Sequence, residues 1–196
     1  MKTVLFDVDT QLDFLYPAGA LAVPGGEELA PVLGELTRLA AARQYPIVST
    51  ADAHTEDDPE FTQWPPHCVA GTFGQKKAGM TLLAKSVIVR NTTQDAQRLR
   101  EAADAPQVII EKQSIDCFTS IHLRPLLEAM NADQFVVYGV VAEVCVAKAL
   151  FGLLETGKPV SLVTDGTKAL SEEGYRNMLA EFQRAGGRLT KASELW

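Results

Sequence analysis

A cysteine, an aspartate and a lysine are the residues of this sequence best suited to carry a reaction. Cys145, Asp9 and Lys112 each follow or end a short apolar, β-branched run. A thiolate attacks carbonyl carbon, and a helix N-terminus next to a thiol lowers the pKa of that thiol. A carboxylate can take the thiol proton and return it to a departing amine, while an ammonium group stabilises both anions. The three residue types together predict an amide-hydrolysing site.

A second group of residues has the types that bind divalent metal ions. Asp52 and His54 form an Asp-x-His pair after another apolar run, and His67 ends the proline-held segment Trp-Pro-Pro-His. Glu60, in the loop between them, offers a fourth ligand. Carboxylates and imidazoles suit Zn, Fe or Mn, and three protein ligands leave positions open for water or substrate. Hydrogen bonding within the loop explains the same residues about equally well, because Asp-x-His is short and common.

Each candidate also has an ordinary structural interpretation. Cysteine is among the most buried residue types, an aspartate after a strand often caps a turn, and a lone histidine usually forms a structural hydrogen bond. A location shared by all of these residues would favour a functional interpretation over the structural ones. In open parallel sheets, ligands bind beyond the carboxyl ends of the strands. Four predicted strand ends would bring reactive groups to that one edge.

The elements that would position these residues alternate between strands and helices. Residues 56–74 have no sustained period and several prolines, which predicts a long functional loop. The alternation favours one α/β domain over residues 1–196, with helices on both faces of a mostly parallel sheet of roughly six strands. Strands are expected at 3–8, 46–50, 86–90, 108–111, 135–140 and 160–164, with 188–190 as an additional edge strand, and helices at 27–44, 95–103, 121–130, 146–155 and 172–185.

Composition and charge limit the partners. A chain of 196 residues suits one hydrophobic core. The net charge of -7 argues against the clustered Lys and Arg that nucleic acid or an anionic membrane requires, so a small molecule or a protein is the expected partner. Three scattered cysteines give neither a disulfide framework nor a CxxC metal knuckle. The N-terminus enters a strand pattern at once and no apolar run approaches a membrane span, which predicts a cytoplasmic protein.

In combination and in this order, the motifs resemble those of the isochorismatase-like cysteine hydrolases, the family that includes nicotinamidases. The resemblance implies the family's three-layer αβα sandwich, hydrolysis of nicotinamide and also of pyrazinamide, one divalent metal ion and a homo-oligomer. The alternatives are a related hydrolase of another small amide or carbamoyl compound, and a non-catalytic metal-binding interaction protein on the same fold. The motifs are DTQLDF at 9–14, GALAVPGG at 19–26, DAH at 52–54, WPPHCVAGT at 64–72, EKQ at 111–113 and GVVAEVCV at 139–146.

The same resemblance assigns roles in the reaction. It implies that Asp9 is the acid/base, Lys112 its cationic partner and Cys145 the nucleophile. It places the oxyanion hole at the backbone N–H groups of Val141 and Cys145, beside a cis peptide bond between Val140 and Val141. Asp7, close by on the same strand, does not match the motif.

The resemblance also assigns ligands for the metal and for the substrate. Phe14 and Trp64 would sandwich a pyridine ring whose nitrogen points at the metal, and we expect both rings to be partly exposed in a cleft. The metal would be held by two histidines and two carboxylates: Asp52, His54, His67 and, as in some members, Glu60.

Three regions depart from the family pattern. Ala142 replaces a common threonine before the cysteine, although Glu143 keeps the acidic residue that follows it. Residues 116–119 replace a Tyr-Ser-Gly-Phe-like segment, and 75–106 is longer and different. In this family such regions help to shape the substrate pocket and the subunit contacts.

Overall fold

The computed structural model describes residues 1–92 and 96–195, apart from the side chain of Ala96. The strands are β1 Thr3–Val8, β2 Ile47–Asp52, β3 Ser86–Val89, β4 Gln107–Lys112, β5 Gln134–Gly139, β6 Val160–Thr167 and β7 Arg188–Thr190. The α-helices are α1 Leu12–Leu15, α2 Ala30–Arg43, α3 Ala96–Ala103, α4 Leu123–Met130, α5 Ala147–Leu154 and α6 Glu172–Arg184.

Within these described ranges, seven strands form one sheet in the order β3-β4-β2-β1-β5-β6-β7, and all of their pairings are parallel. Helices α3 to α6 pack on one face, whereas α1 and α2 pack on the other. Because both faces are covered, all six residues of β1 and of β2 are buried. The predicted three-layer α/β architecture is confirmed, with a seventh strand.

Two helix predictions differ from the structure for local reasons. A 3-10 turn at Gly26–Leu29 occupies the start of the helix predicted for 27–44, and the α-helix follows it. The helix predicted for 121–130 begins at Leu123, with Pro125 in its first turn. Proline is tolerated there because the first N–H groups of a helix have no acceptor within it.

The predicted helix at 95–103 is confirmed over Ala96–Ala103, and Asp95 lies outside the described residues. The loop predicted for 56–74 contains one 3-10 turn, at Pro59–Thr62. Among the described residues, none of the helices combines the length and the hydropathy needed to cross a lipid bilayer.

The strand order brings the predicted reactive residues to adjacent positions. Strands β4, β2, β1 and β5 are consecutive neighbours, and the chain changes direction across the sheet between β1 and β5. Such a reversal opens a crevice at the carboxyl ends of the strands. Asp9 follows β1, Asp52 ends β2, Lys112 ends β4, and Cys145 follows β5 by one turn. In the pairing of β2 with β4, Asp52 and Lys112 lie directly opposite each other.

Candidate active site

Lys112 is the centre of the candidate site, and its ammonium group is completely buried. Lys112 Nζ lies 2.9 Å from Asp9 Oδ2, donates a hydrogen bond to Asp52 Oδ1, and lies 3.8 Å from the sulfur of Cys145. Thr50 Oγ1 donates to the other oxygen of Asp9 at 2.6 Å. The structure therefore brings together the three residues for which the sequence predicts the reaction, and adds Asp52 to them.

One oxygen of Asp9 is free to accept a further proton. Asp9 Oδ2 forms the ion pair with Lys112 but accepts no hydrogen bond of ordinary angle from any described residue. Burial raises the pKa of Asp9 and Lys112 opposes that rise, while Asp52 adds to it. Burial alone would lower the pKa of Lys112, but Asp52 and Asp9 raise it well above its ordinary value, so the ammonium stays charged.

Cys145 differs from the expectation of a thiol acidified by a helix N-terminus. Its side chain is only 7% exposed, and burial raises its pKa well above the ordinary value, although Lys112 opposes the shift. Cys145 also lies inside a π-helical turn, Ala142–Val146, rather than at the first residue of α5. The expectation of a lowered pKa is therefore wrong. A thiol in this setting needs a neighbouring base, and Asp9, whose carboxylate contributes to the rise in the pKa of Cys145, is the candidate.

The turn that carries Cys145 is fixed by its own backbone. The N–H groups of Val144 and Val146 both donate to the carbonyl of Val141, at 3.1 and 3.0 Å. The peptide bond between Val140 and Val141 is cis, as the resemblance predicts. The assignment of the oxyanion hole to the N–H groups of Val141 and Cys145 stays a prediction.

The predicted metal ligands converge next to the Lys112 group. Ligand atoms of Asp52, His54 and His67 all lie within 4.8 Å of one another. Asp52 Oδ2 is 3.7 Å from His54 Nε2 and 3.8 Å from His67 Nε2, and Glu60 Oε1 is 4.0 Å from each of these nitrogens. Four ligand atoms thus surround one point, including the more distant Glu60.

The other ring nitrogen of each histidine has a partner that orients the ring. His54 Nδ1 is 3.0 Å from Asp58 Oδ2, and His67 Nδ1 is 2.8 Å from the carbonyl oxygen of Pro65. Such contacts are typical of histidines that bind metal through Nε2. No sequence pattern identified Asp58, because it lies in an irregular loop where a spacing of four residues does not imply contact.

The donor set fits a divalent cation. His54 Nε2 is buried and has no hydrogen-bond partner among the described residues, which is costly unless another group satisfies it. Burial would lower the pKa of His54, but the nearby carboxylates of Asp52, Asp58 and Glu60 raise it to about 9. Two imidazoles and one or two carboxylates suit zinc, iron or manganese.

Asp52 connects the metal ligands with the reactive residues. One of its oxygens accepts from Lys112, and the other faces the two histidines. Its backbone is held by Gln11, whose side chain accepts from Asp52 N at 2.7 Å and donates to Asp52 O at 2.9 Å. Burial would raise the pKa of Asp52, but Lys112 and His54 hold it below the usual range. Asp52 is therefore a charged ligand shared by both halves of the site.

A cleft lined mainly by apolar side chains leads to Cys145. Trp64 is half-buried in this cleft, as expected, but Phe14 is only 4% exposed because its ring packs against His67, with 5.3 Å between ring centroids. The expectation that Phe14 is partly exposed is wrong, although it does line the cleft. The sequence analysis did not identify the aliphatic lining residues, Leu21, Ile115, Val144 and Leu170.

The departures from the family pattern have structural roles close to the cleft. The N–H of Ala142 donates to the carbonyl of Lys168 at 2.8 Å, and the carboxylate of Glu143 accepts from the N–H groups of Leu170 and Ser171. These contacts tie the loop before α6 to the turn that carries the cysteine. Asp116 caps a short 3-10 turn by accepting from Phe118 N.

Comparisons with known proteins agree with the observed fold. The isochorismatase domain model matches residues 3–194. The nicotinamidase/pyrazinamidase of Mycobacterium tuberculosis is 27% identical, with 96% of this chain and 98% of that protein covered. The nicotinamidase of Saccharomyces cerevisiae is 24% identical, with 88% and 90% covered. A crystal structure of the Pyrococcus horikoshii pyrazinamidase in complex with zinc has a TM-score of 0.80, 27% identity and coverage of 97% and 99%.

The isochorismatase domain match and the nicotinamidases among the relatives define the protein as a hydrolase of amide carbon–nitrogen bonds. The chain belongs to the isochorismatase family, whose domain model spans nearly its whole length.

Proposed function

We propose that this protein is a nicotinamidase that hydrolyses nicotinamide to nicotinate and ammonia through a thioester on Cys145, and that it also accepts pyrazinamide. One observation carries the proposal: a single buried ammonium group, Lys112 Nζ, contacts the Cys145 thiol, the Asp9 carboxylate and the metal-ligand candidate Asp52. This proximity supports a mechanism in which Cys145, Asp9 and the metal ligands act on one small amide. The named activities of the relatives support the same substrate class.

In the proposed reaction, Asp9 takes the proton of Cys145 and the thiolate attacks the carboxamide carbon. The resulting oxyanion is stabilised by the N–H groups of Val141 and Cys145. The carbon–nitrogen bond then breaks as Asp9 gives its proton to the departing ammonia. Water attacks the thioester, Asp9 accepts the water proton, and that proton returns to the sulfur as the acid product leaves.

The electrostatics of the site favour this cycle. Burial raises the pKa of both Cys145 and Asp9, so the proton can pass between groups that are each stronger bases than in water. Lys112 keeps its charge and offsets whichever group is anionic. The expensive unpaired buried anion is thereby avoided throughout the cycle.

A divalent metal would be held by Asp52, His54 and His67, with Glu60 as an additional ligand. When bound, it supplies a Lewis acid that orients and polarises the substrate. Phe14 and Trp64 would hold the ring on either side of the cleft and direct its nitrogen toward this position. The identity of the metal stays open among zinc, iron and manganese.

The lining of the cleft favours an uncharged ring over an anionic substrate. Its exposed surface is almost entirely apolar, and its described lining residues include two carboxylates but no arginine or lysine. A carbamoyl compound that carries its own carboxylate would meet Asp52 and Glu60 without a basic side chain in the lining to pair with it. A neutral aromatic amide would instead bury its ring against aromatic and aliphatic side chains.

Ammonia release by the purified, metal-loaded protein tests this proposal. The substrates should be nicotinamide, pyrazinamide and an N-carbamoyl amino acid, and the expected order of kcat/KM places the two ring amides first. Cys145→Ala should abolish turnover, whereas Cys117→Ala, which removes another buried free thiol, should retain it. Turnover of the carbamoyl compound alone would reassign the substrate. An active Cys145→Ala protein would refute the thioester mechanism.

Three further inferences accompany the proposal. One domain over residues 1–196 is supported by the single family model that spans residues 3–194. A cytoplasmic location is supported by three cysteines that are all free. Self-association to a homo-oligomer stays a prediction from the resemblance, and the lack of nucleic-acid and membrane partners stays a prediction from the net charge.

A further inference from the structure

A second buried lysine–aspartate pair lies next to the catalytic one and has no part in the proposed reaction. Lys77 Nζ is 2.9 Å from Asp7 Oδ2, and both side chains are almost completely buried. Ser49 Oγ donates to the same oxygen at 3.0 Å, and the hydroxyl of Thr10 lies 2.8 Å from Asp7 Oδ1. Because a buried charge is costly without partners, the ion pair and these hydrogen bonds offset the cost of burying the charges of Lys77 and Asp7.

The network is attached to Asp9 through the adjacent residue. Lys77 Nζ donates to Thr10 Oγ1 at 2.8 Å, and the backbone carbonyl of Thr10 accepts from Ala78 N at 2.9 Å. An antiparallel bridge also joins Lys77 to Gln11. The residue that follows Asp9 is therefore held by its side chain and by its carbonyl, and both contacts come from the Lys77 segment.

Asp9 requires this support because of its backbone conformation. Its φ angle is +49°, in the left-handed region that non-glycine residues seldom adopt. Such conformations persist where the surrounding structure determines them. The direction of the Asp9 carboxylate depends on this backbone, so a change at Thr10 would move the carboxylate relative to Cys145 and Lys112.

We propose that Lys77, through its ion pair with Asp7 and its hydrogen bond to Thr10, is a positioning residue that aims the Asp9 carboxylate at the Cys145 thiol. A test of this role by nicotinamide turnover rests on the proposed function, whereas the rate of Cys145 alkylation tests the role independently of the substrate. Lys77 itself touches neither the substrate cleft nor the metal ligands in the contacts described above.

The test uses variants that keep the buried charge balanced. Asp7→Asn combined with Lys77→Met removes both charges together, and Thr10→Val removes the connecting hydroxyl while keeping a β-branched side chain. Ser49→Ala is the matched control, because it removes a hydrogen bond to Asp7 without touching Thr10 or Lys77. Each metal-loaded protein is assayed for kcat and KM with nicotinamide, for metal content, for thermal midpoint, and for the rate of Cys145 alkylation by iodoacetamide at neutral pH.

A positioning role predicts that kcat falls roughly ten- to hundredfold in the double variant and in Thr10→Val, because a displacement of about 1 Å can cost this much. The alkylation of Cys145 should slow by a similar factor, while KM and metal content remain within about twofold of wild type. Ser49→Ala should keep the wild-type kcat. If the double variant does not fold, the kcat and the alkylation rate of Thr10→Val test the positioning role.

Three results would overturn the inference. A lower thermal midpoint with unchanged kcat and alkylation would show a purely structural pair. A rise in KM with unchanged kcat would place the effect on the cleft. A wild-type protein that neither turns over nicotinamide nor reacts with iodoacetamide at Cys145 would refute this inference together with the proposed function. Alkylation of Cys145 without turnover of nicotinamide would refute the proposed function alone. The alkylation rates of the variants would then test the positioning role of Lys77.

Discussion

Asp58 should control metal affinity, although it is not among the predicted ligands. Its Oδ2 lies 3.0 Å from His54 Nδ1, and its Oδ1 accepts from Glu60 N at 2.9 Å. Replacing Asp58 with Asn keeps the size and one acceptor oxygen but removes the charge that orients and polarises the imidazole. Asp58→Ala removes the acceptors as well and leaves the turn at Glu60 without its cap.

Two estimates of the magnitude agree. A hydrogen bond to a charged group contributes about 1.5–3 kcal/mol, which corresponds to roughly ten- to hundredfold in an equilibrium constant. Loss of a group that orients a metal-bound histidine typically costs about 10–100-fold in affinity. We expect the dissociation constant for zinc to rise about tenfold in Asp58→Asn and toward hundredfold in Asp58→Ala.

Competition with a zinc-binding chelator measures these constants directly. The titration should be made at neutral pH and again above pH 9, because Asp58 also helps to raise the pKa of His54 to about 9. Below that pH, a proton on His54 competes with zinc for the imidazole. Removing Asp58 lowers the pKa of His54 and weakens this competition, which masks part of the loss in zinc affinity. Above it, the full effect of the substitution appears.

Asp57→Asn provides the matched control, because Asp57 is the exposed neighbour and its substitution changes the net charge by the same amount. Its zinc affinity should equal that of wild type. Equal affinities for Asp58→Asn and Asp57→Asn above pH 9 would refute the role assigned to Asp58.

Two further substitutions test the sheet and the cleft. Gly139→Ala should destabilise the fold by about 3 kcal/mol or more in a denaturant titration, because its Cβ would lie 2.1 Å from the carbonyl oxygen of Val8, whereas Gly157→Ala, with φ +72° and open space, should cost only about 1 kcal/mol. Similar losses for the two would contradict this. Trp64→Ala should raise KM for nicotinamide roughly tenfold through lost ring contact, and unchanged KM would exclude Trp64 from the cleft's binding surface. Phe73→Ala, at an exposed aromatic, should leave KM unchanged.

The sequence predicted the sheet and its reactive edge well because buried parallel strands contain short runs rich in apolar and β-branched residues. The end of each run marks the carboxyl edge, so Asp9, Asp52, Lys112 and Cys145 could be assigned to one place before their distances were known. The contact between Lys112 and Asp52 could not be predicted in this way. It depends on the register of two strands that are separated by some sixty positions in the chain.

Burial and loop geometry account for the remaining differences. The pKa of Cys145 depends on how completely the turn is enclosed, and local sequence does not report this enclosure. Phe14 is covered by His67, a residue far along the chain. Asp58 lies in an irregular loop, where neither helical nor strand periodicity indicates which side chains meet.

The position of Lys112 between Asp9 and Asp52 has a consequence for how the site responds to mutation and for how it can evolve. The Lys112 ammonium forms an ion pair with each carboxylate, so neutralising one carboxylate changes the ion-pair interaction of the ammonium with the other. The effects of Asp9→Asn and Asp52→Asn should therefore be strongly non-additive in a double-mutant cycle. We therefore expect epistasis between substitutions at the two positions, so that evolutionary change at Asp9 is coupled to change at Asp52.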